Sequence, residues 1–452
     1  MSVTVLVKCL ERTPDMLASK IIIPVPKIEN RKFTKPLLCG PGPCDVWPSV
    51  AEALNKPILS PMCDEYFNLM ADIRDSLKYL FQTKSKLVLA ISGSGHSAME
   101  ATITNLIGPN ETMLIATRGI WDERALNIAQ RHNIKAIPFR IPFNTTFSYE
   151  HIEAELKKWK PTALFVTHGD SSTGTVQKLD GLGELCHKYG ALLIVDTVVS
   201  IGGVPFLMDE WGVDAVYTST QKVLSGPAGI SPVAFSERAE EKMNNRKHQP
   251  PFYLDIKLLA QQWNCYGNTR AYHHTLCSPM LWALLQCLQE INKRTLPKFW
   301  KTHADVVGHF HKRLRQYGFN FLVPKAEDRL ATVTTVVLPQ GYDYLKFVKY
   351  MRENYNILIF GGLGPTAGKA LRIGIMGVNA TIEVADAVAD GMAGTLKALT
   401  KSYNILIFGG LGPTAGKALR IGIMGVNATI EVADAVADGM AGTLKALTKS
   451  SL

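Results

Sequence analysis

Residues 163–167 read Ala-Leu-Phe-Val-Thr, and residues 192–195 read Leu-Leu-Ile-Val. Both runs are short and apolar, as are strands that are buried on both faces of a parallel sheet. The helix-like segments Glu150–Trp159 and Leu182–Tyr189 precede them. This alternation predicts an α/β fold with an open, mostly parallel sheet that helices cover on both faces. Ligands bind beyond the carboxyl ends of the strands in such sheets, so a site is expected in the loops that follow strands.

The composition is that of a globular chain with more than one domain. It has 452 residues, of which 46% are hydrophobic and 19% charged, with a net charge of +10. The basic residues are scattered and form no stripe with aromatic residues, so we predict no nucleic-acid partner. The apolar runs are too short to cross a bilayer, and no membrane segment is predicted. The eight cysteines form no C-x-x-C pair, which favours free thiols in a reducing compartment.

The carboxyl-terminal part contains an identical tandem repeat, because residues 355–402 recur unchanged as residues 403–450. A solenoid needs at least three stacked units and tolerates drift between them, so two identical copies do not indicate one. We interpret the second copy as a duplication or a gene-model error, and expect a disordered or loosely packed appendage. The predicted parts are an N-terminal extension, a large domain, a smaller α+β domain and this appendage, at residues 1–35, 36–295, 296–402 and 403–452.

A glycine-rich loop, Ser92-Gly93-Ser94-Gly95-His96, follows the apolar run Leu87–Ile91 and precedes a helix-like segment, Ala98–Leu106. Small residues let backbone N–H groups approach an anion, and the dipole of the helix favours negative charge at its N-terminus. The loop therefore predicts a phosphate site. An ordinary tight turn between a strand and a helix is the alternative, and the loop matches neither the dinucleotide-binding pattern nor a P-loop.

Two further residues follow strands in an informative order. Asp196 ends the strand-like run 192–195, and a buried carboxylate needs a partner. That partner is either the turn that follows or the protonated nitrogen of a pyridine ring. Lys222 comes 26 residues later, before a turn of small residues, 223–229. A lone lysine is usually exposed, but an anion loop, a strand-end aspartate and a later lysine occur here in the order of the fold-type I pyridoxal-phosphate (PLP) enzymes.

The sequence resembles the class V aminotransferases over residues 36–402, and within them the alanine–glyoxylate (serine–pyruvate) group. The strings that carry the resemblance are Gly40-Pro41-Gly42-Pro43, Ser92-Gly93-Ser94-Gly95-His96, Gly119-Ile120-Trp121, Thr167-His168-Gly169-Asp170-Ser171-Ser172-Thr173-Gly174, Tyr272-His273-His274-Thr275 and Gly361-Gly362-Leu363-Gly364-Pro365. It implies the PLP-dependent transferase fold of type I, with a seven-stranded, mostly parallel sheet in the large domain. It also implies transfer of the amino group of alanine or serine to glyoxylate, which removes glyoxylate and forms glycine together with pyruvate or hydroxypyruvate.

The resemblance also implies the role of each site residue. Lys222 carries PLP and moves the substrate proton, and Asp196 pairs with the pyridine nitrogen. Tyr272 and Thr275 reach the phosphate of the neighbouring subunit, which implies a homodimer with shared sites. The remaining contacts are the phosphate ligands Ser94, Gly95, His96 and Gln221, the ring-stacking Trp121, Val198 on the opposite ring face, Ser171 near the ring hydroxyl, and Arg372 and Gly42 on the substrate side, with Arg372 binding the carboxylate.

The sequence departs from its relatives at Cys44-Asp45, where Ser-Asn is common, and the repeat gives Arg372 a second copy, Arg420. Because residues 355–402 follow their normal upstream segment, we expect Arg372 to be the working copy. Adjacent histidines at 273 and 274 point apart on a regular element, so no metal site is predicted. The alternatives are a 3-hydroxykynurenine transaminase, a cysteine desulfurase-like lyase without a clear persulfide cysteine, and a non-catalytic homologue impaired in folding.

The last three residues, Ser450-Ser451-Leu452, approach the Ser-Lys-Leu peroxisomal signal. Together with the resemblance, they lead us to expect a peroxisomal protein. A mitochondrial or a cytosolic location is the alternative.

Overall fold

The computed structural model describes residues 23–267, 271–339 and 341–399, and residues 408, 409, 419, 420, 436, 437 and 440. Residues 1–36 group separately from residues 37–452. The described part of the first unit, residues 23–36, contains no helix or strand. The expected appendage lies mostly outside the described residues, and the expected peroxisomal signal lies wholly outside them.

The second unit alternates strands and helices along most of its length. The strands are β1 (Leu37–Leu38), β2 (Val88–Ser92), β3 (Thr112–Thr117), β4 (Lys135–Arg140), β5 (Ala163–Thr167), β6 (Gly169–Asp170), β7 (Thr175–Val176), β8 (Leu192–Asp196), β9 (Ala215–Tyr217), β10 (Ile230–Phe235), β11 (Asn320–Phe321), β12 (Val333–Val337), β13 (Ile357–Leu358), β14 (Phe360–Gly361), β15 (Leu371–Gly374), β16 (Phe408–Gly409) and β17 (Leu419–Arg420). The helices are α1 (Pro48–Ala53), α2 (Asp64–Phe81), α3 (Gly95–Leu106), α4 (Ile120–Arg131), α5 (Tyr149–Trp159), α6 (Leu182–Lys188), α7 (Glu237–Asn244), α8 (Ile256–Gln262), α9 (Ser278–Arg294), α10 (Leu296–Gln316), α11 (Tyr344–Tyr355) and α12 (Ile382–Leu399). Among the described residues, no helix combines the length and the apolar character that crossing a membrane requires.

The large domain is built on a seven-stranded sheet, which confirms the predicted α/β fold. The strand order is β2-β10-β9-β8-β5-β3-β4. β10 runs antiparallel to β2 and to β9, while β9, β8, β5, β3 and β4 pair in parallel. Six of the seven strands therefore share one direction. Their side chains enter one large core, because runs such as β5 and β8 are apolar and buried along their whole length.

This topology places several polar residues at one edge of the sheet. Ser92 ends β2, Asp196 ends β8, and Tyr217 ends β9. Since these three strands point the same way, their carboxyl ends meet beside one another. The crevice outside such an edge is where open α/β sheets bind ligands.

The small domain has an antiparallel sheet in the order β11-β12-β15-β14. Helices α10, α11 and α12 enclose a second core that includes Phe310, Phe347 and Val388. Strand β1 pairs with β13, and Cys39 enters the same core. The short segment 37–39 therefore packs with the small domain, although the predicted boundaries placed it in the large one. The boundary between residues 295 and 296 stays a prediction and falls between α9 and α10.

The first copy of the repeat completes the small sheet. Its strand β15 lies between β12 and β14, with Phe360 opposite Arg372. In the second copy, β16 and β17 pair with each other in the same register, Phe408 opposite Arg420. They form a separate two-stranded sheet. The hairpin is therefore a local property of the repeat, whereas pairing with β12 belongs to the first copy.

The identical copies allow a matched test of this assignment. Leu371 of β15 is fully buried in the second core. We expect Leu371→Ala to lower the free energy of unfolding by about 2–5 kcal/mol, because it leaves a cavity there. The same change in the second copy, Leu419→Ala, should leave the free energy unchanged. Urea denaturation of the full-length protein measures both, and equal losses in the two variants would contradict the assignment.

Candidate active site

A cavity of about 100 Å³ lies at the carboxyl edge of β2, β8 and β9. It brings together the following residues that were singled out in the sequence: Ser94, Gly95, His96, Trp121, Ser171, Asp196, Val198, Gln221 and Lys222. It is also lined by four residues that were given no role in the predicted site: Met99, Gly169, Val199 and Tyr217. The candidate site thus draws on loops that are far apart in the sequence.

One end of the cavity is the N-terminus of α3. Ser94 is the N-cap residue, but its side chain makes no capping hydrogen bond, so the first N–H groups of the helix keep their capacity to bind an anion. A Cβ at position 95 would lie 3.2 Å from Val198 and 3.4 Å from Ser219. Glycine at this position therefore leaves room for an anion to reach the N–H groups of the helix. Burial and the nearby Arg124 lower the pKa of His96, which favours its neutral form.

Asp196 lines the same cavity, and both of its carboxylate oxygens accept hydrogen bonds. Its Oδ1 accepts a hydrogen bond from Val198 N at 2.8 Å, and its Oδ2 accepts one from the Tyr217 hydroxyl at 2.7 Å. The residue is 4% exposed. Burial raises its pKa to about 7, and the two hydrogen bonds only partly oppose this. The carboxylate therefore orders the turn that follows β8, and among the described residues it forms no ion pair within 4 Å.

Lys222 lines the same cavity. Its Nζ donates to the carbonyl oxygen of Pro41 at 2.8 Å. Gly42 has a φ of +109°, and a Cβ at this position would lie 2.4 Å from Nζ, so a glycine is required here. Burial, and then the charge of Arg372, lower the pKa of Lys222 to about 8. An amine with this pKa can lose and regain a proton near neutral pH.

Trp121 is held in a fixed orientation at the cavity wall. It lies in the first turn of α4, and its Nε1 donates to the Ser171 hydroxyl at 2.8 Å. The ring of His96 meets it edge-on, with the centroids 5.9 Å apart and the planes at 67°. A large aromatic face fixed in this way can stack against a flat ring.

Arg372 of the first copy reaches this region from the small domain. Its Nε donates to Gly361 O at 2.8 Å, and its Nη1 donates to Ser171 O at 3.3 Å. Within the described part of the chain, no hydrogen bond uses Nη2. The two carbonyl groups thus orient the guanidinium and leave one side of it for a carboxylate. The position of the Arg420 side chain lies outside the described residues.

Tyr272 and Thr275 do not line the cavity of their own chain. Tyr272 is 56% exposed, and its hydroxyl lies 2.7 Å from the Thr275 hydroxyl. Their predicted contact with the phosphate of a neighbouring subunit therefore stays a prediction.

Tyr217 and Met99 line the cavity but were not predicted, although their positions in the sequence contain information that could have indicated them. Tyr217 pairs with Asp196 in the β8–β9 register. Two strand-end residues at the same edge of a parallel sheet could have been expected to meet. Met99 lies one helical turn after Gly95, on the first part of α3 that faces the cavity.

The donor set fits PLP. A helix N-terminus suits its phosphate, and the buried carboxylate of Asp196 suits a protonated pyridine nitrogen. The amine of Lys222 suits its aldehyde, and the ring of Trp121 suits its aromatic plane.

Comparison with known proteins supports the same interpretation. A family model described as aminotransferase class V matches residues 59–386. The chain is 42% identical over 386 residues to the alanine–glyoxylate aminotransferase of Rattus norvegicus, covering 85% of this chain and 93% of the rat protein. The crystal structure of alanine–glyoxylate aminotransferase from Nostoc sp. matches with a TM-score of 0.80 and 37% identity, over 82% of this chain and 97% of that one. The ureidoglycine–glyoxylate aminotransferase of Bacillus subtilis matches with a TM-score of 0.79 and 28% identity, over 83% and 96%.

The raised pKa of Asp196 predicts how cofactor-free protein responds to pH. Because folding raises this pKa from 3.8 to about 7, the stabilising contribution of the protonated carboxyl is lost as pH rises through about 7. We expect Asp196→Asn to be more stable than the wild type at pH 8 by roughly 2–4 kcal/mol, and nearly equal to it at pH 4. Urea denaturation of both proteins at each pH measures the difference.

The control for this prediction is Asp305→Asn, which changes an exposed carboxylate on α10. Its free energy of unfolding at pH 8 should not exceed that of the wild type. A difference in the free energy of unfolding between wild type and Asp196→Asn that is the same at pH 4 and pH 8 would contradict the prediction.

Proposed function

The chain belongs to the class V aminotransferase family, and we propose that it transfers the amino group of alanine to glyoxylate, giving pyruvate and glycine. It is a PLP-dependent aminotransferase. The proposed substrates are those of relatives that align with this chain over most of their length. The names of the rat, Nostoc and Bacillus enzymes all include glyoxylate, whereas the amino donor is alanine in the first two and ureidoglycine in the third. Neither a hydroxykynurenine transaminase nor a non-catalytic homologue is favoured by them.

The single observation that carries the proposal is that Lys222 and Asp196 line one cavity, and that Arg372 of the small domain contacts the cavity residue Ser171 and acts on the charge of Lys222. Bound PLP supplies an electron sink for the electrons left when a proton leaves the substrate Cα. Arg372 holds the substrate carboxylate through the side of the guanidinium that the two carbonyl groups leave available. The amine of Lys222 takes and returns the proton, for which a pKa of about 8 is suited. Asp196 keeps a positive charge on the pyridine nitrogen.

The arrangement beside Arg372 supports a donor with a small side chain. In the small sheet, Thr335, Arg372 and Phe360 are directly opposite one another on β12, β15 and β14, so their side chains share one face. Thr335 contacts Thr173 of the large domain through a 2.8 Å hydrogen bond. The ring of Phe360 lies against Gly40, where an added Cβ would be 2.2 Å away. A bulky ring thus lies beside Arg372 on the same face of the small sheet, which favours alanine over an aromatic donor.

The test compares two amino donors on the full-length protein loaded with PLP. We expect turnover of alanine with glyoxylate to exceed turnover of 3-hydroxykynurenine with glyoxylate, measured as kcat/KM. Lys222→Ala should abolish the visible absorbance change that alanine causes, and lower kcat by about 10²-fold or more. The exposed Lys349→Ala on α11 is the matched control and should behave as the wild type.

Two results would overturn parts of this proposal. A preference for 3-hydroxykynurenine would overturn the donor. Full activity of Lys222→Ala would overturn the assignment of the lysine.

We further propose that the enzyme works as a homodimer with shared sites. An exposed apolar and aromatic surface supports this, and it includes Ile58, Met62, Phe252 and Tyr272. The rings of Phe252 and His273 stack at 4.6 Å, so that surface is ordered around the Tyr272–Thr275 segment. Tyr272 and Thr275 are exposed and do not line the cavity of their own chain, so a partner's phosphate site could use their hydroxyls.

Mixed dimers test the shared site. A Lys222→Ala chain and a chain with Tyr272→Ala and Thr275→Ala should each have little activity alone. After unfolding and refolding together, one site of each mixed dimer carries both defects and the other is intact, so activity should recover to about a quarter of the wild type. No recovery, with mixed dimers shown by mass spectrometry, would contradict sharing.

A further inference from the structure

We propose that Tyr217 is a positioning residue that keeps Asp196 ionised and directed at the pyridine nitrogen of PLP. The proposal goes beyond the amino transfer itself and rests only on the dependence of the enzyme on PLP. It does not depend on which amino donor or keto acid is used.

The position of the hydroxyl follows from the sheet. Tyr217 ends β9 and Asp196 ends β8, and the two are partners in the parallel register. The carbonyl oxygen of Tyr217 accepts hydrogen bonds from Thr197 N at 3.0 Å and from Thr197 Oγ1 at 2.8 Å. These bonds fix the backbone of Tyr217 at the level of the carboxylate. Its fully buried side chain then donates to Asp196 Oδ2 at 2.7 Å.

The electrostatic surroundings show why this hydrogen bond matters. Burial opposes the ionised form of Asp196, and so do the charges of Asp122 on α4 and Asp170 on β6. Lys222 is the cationic group that faces it, and Asp196 in turn raises the pKa of that lysine. Two hydrogen bonds favour the carboxylate, one from the backbone N of Val198 and one from Tyr217. Only the second comes from a side chain, so it is the one that a substitution can remove.

The chemical consequence concerns the proton on the pyridine nitrogen. An ionised Asp196 accepts a hydrogen bond from a protonated nitrogen and stabilises its positive charge. A protonated Asp196 would instead donate to an unprotonated nitrogen, which withdraws electrons less strongly. By favouring the carboxylate, Tyr217 supports both the affinity for PLP and its use as an electron sink.

The test uses Tyr217→Phe, which keeps the ring in the cavity wall and removes only the hydroxyl. The dissociation constant of PLP is measured on cofactor-free protein between pH 6 and pH 9, without amino acid or keto acid. We expect PLP to bind the variant about tenfold more weakly than the wild type at the acid end, since a hydrogen bond to a charged group is lost. The ratio of the two constants should approach one as pH rises, because Asp196 then ionises in both proteins. Lys222 titrates in both proteins, and its coupling to the charge of Asp196 is absent from the Asp196→Asn background described below.

A matched control and a second background make the result specific. Tyr149→Phe also removes a donated hydrogen bond, to Asp180 O at 2.6 Å, and Tyr149 does not line the cavity. It should leave the dissociation constant unchanged at every pH. In an Asp196→Asn background, Tyr217→Phe should add no pH-dependent effect, because the group that titrates is absent.

Two outcomes would overturn the proposal. One is a loss of affinity in Tyr217→Phe that is the same at every pH, which is what a merely structural role gives. The other is an unchanged dissociation constant. If cofactor-free Tyr217→Phe does not fold, the pH dependence of the visible absorbance of the holoenzyme replaces the binding curve, and a profile identical to that of the wild type would overturn the proposal. Because no substrate is present, failure here is distinct from failure of the proposed amino transfer.

Discussion

A carboxylate buried at the end of a strand opposes folding unless a positive charge meets it, and the site is organised around this constraint. Asp196 is almost fully buried, and the hydrogen bonds from Val198 and Tyr217 only partly compensate for its lost hydration. In the proposed complex, a protonated pyridine ring would bring this charge. The cofactor-free protein therefore carries a local instability that binding of PLP removes, which links affinity for the cofactor to the stability of the fold.

The positive groups of the site are tuned by the same burial. Lys222 and Arg372 approach each other, and both have lowered pKa values because water is excluded around them. For the lysine this is useful, since an amine that exchanges protons near neutral pH can act as both base and acid. For the arginine, whose pKa of about 10 still leaves it charged, burial strengthens its attraction for a carboxylate. The same burial thus suits the amine of Lys222 to proton exchange and the guanidinium of Arg372 to binding an anion.

Local sequence patterns predicted the framework of the site better than its contacts. The run 163–167 is β5 with the predicted bounds, and the glycine-rich loop leads into α3, although the helix begins at Gly95 rather than at the predicted Ala98. Apolar patterns and small residues determine such elements locally. The pairing of Asp196 with Tyr217 was missed, because it depends on which strand lies beside β8, and no local pattern contains that information. The roles of Trp121 and Arg372 came only from the family resemblance.

The two copies of the repeat show which features the local sequence determines and which depend on tertiary contacts. Two identical sequences form the same hairpin register, yet only the first joins β12 in the four-stranded sheet. Removing residues 355–402 or residues 403–450 would give the same polypeptide, so no residue type marks either copy as the extra one. The distinction lies in the connection: α11 leads directly into β13 of the first copy, while the second copy could reach that place only if 48 residues were looped out. Chain topology therefore decides which of the two identical strands, and so which of the two arginines, joins the four-stranded sheet.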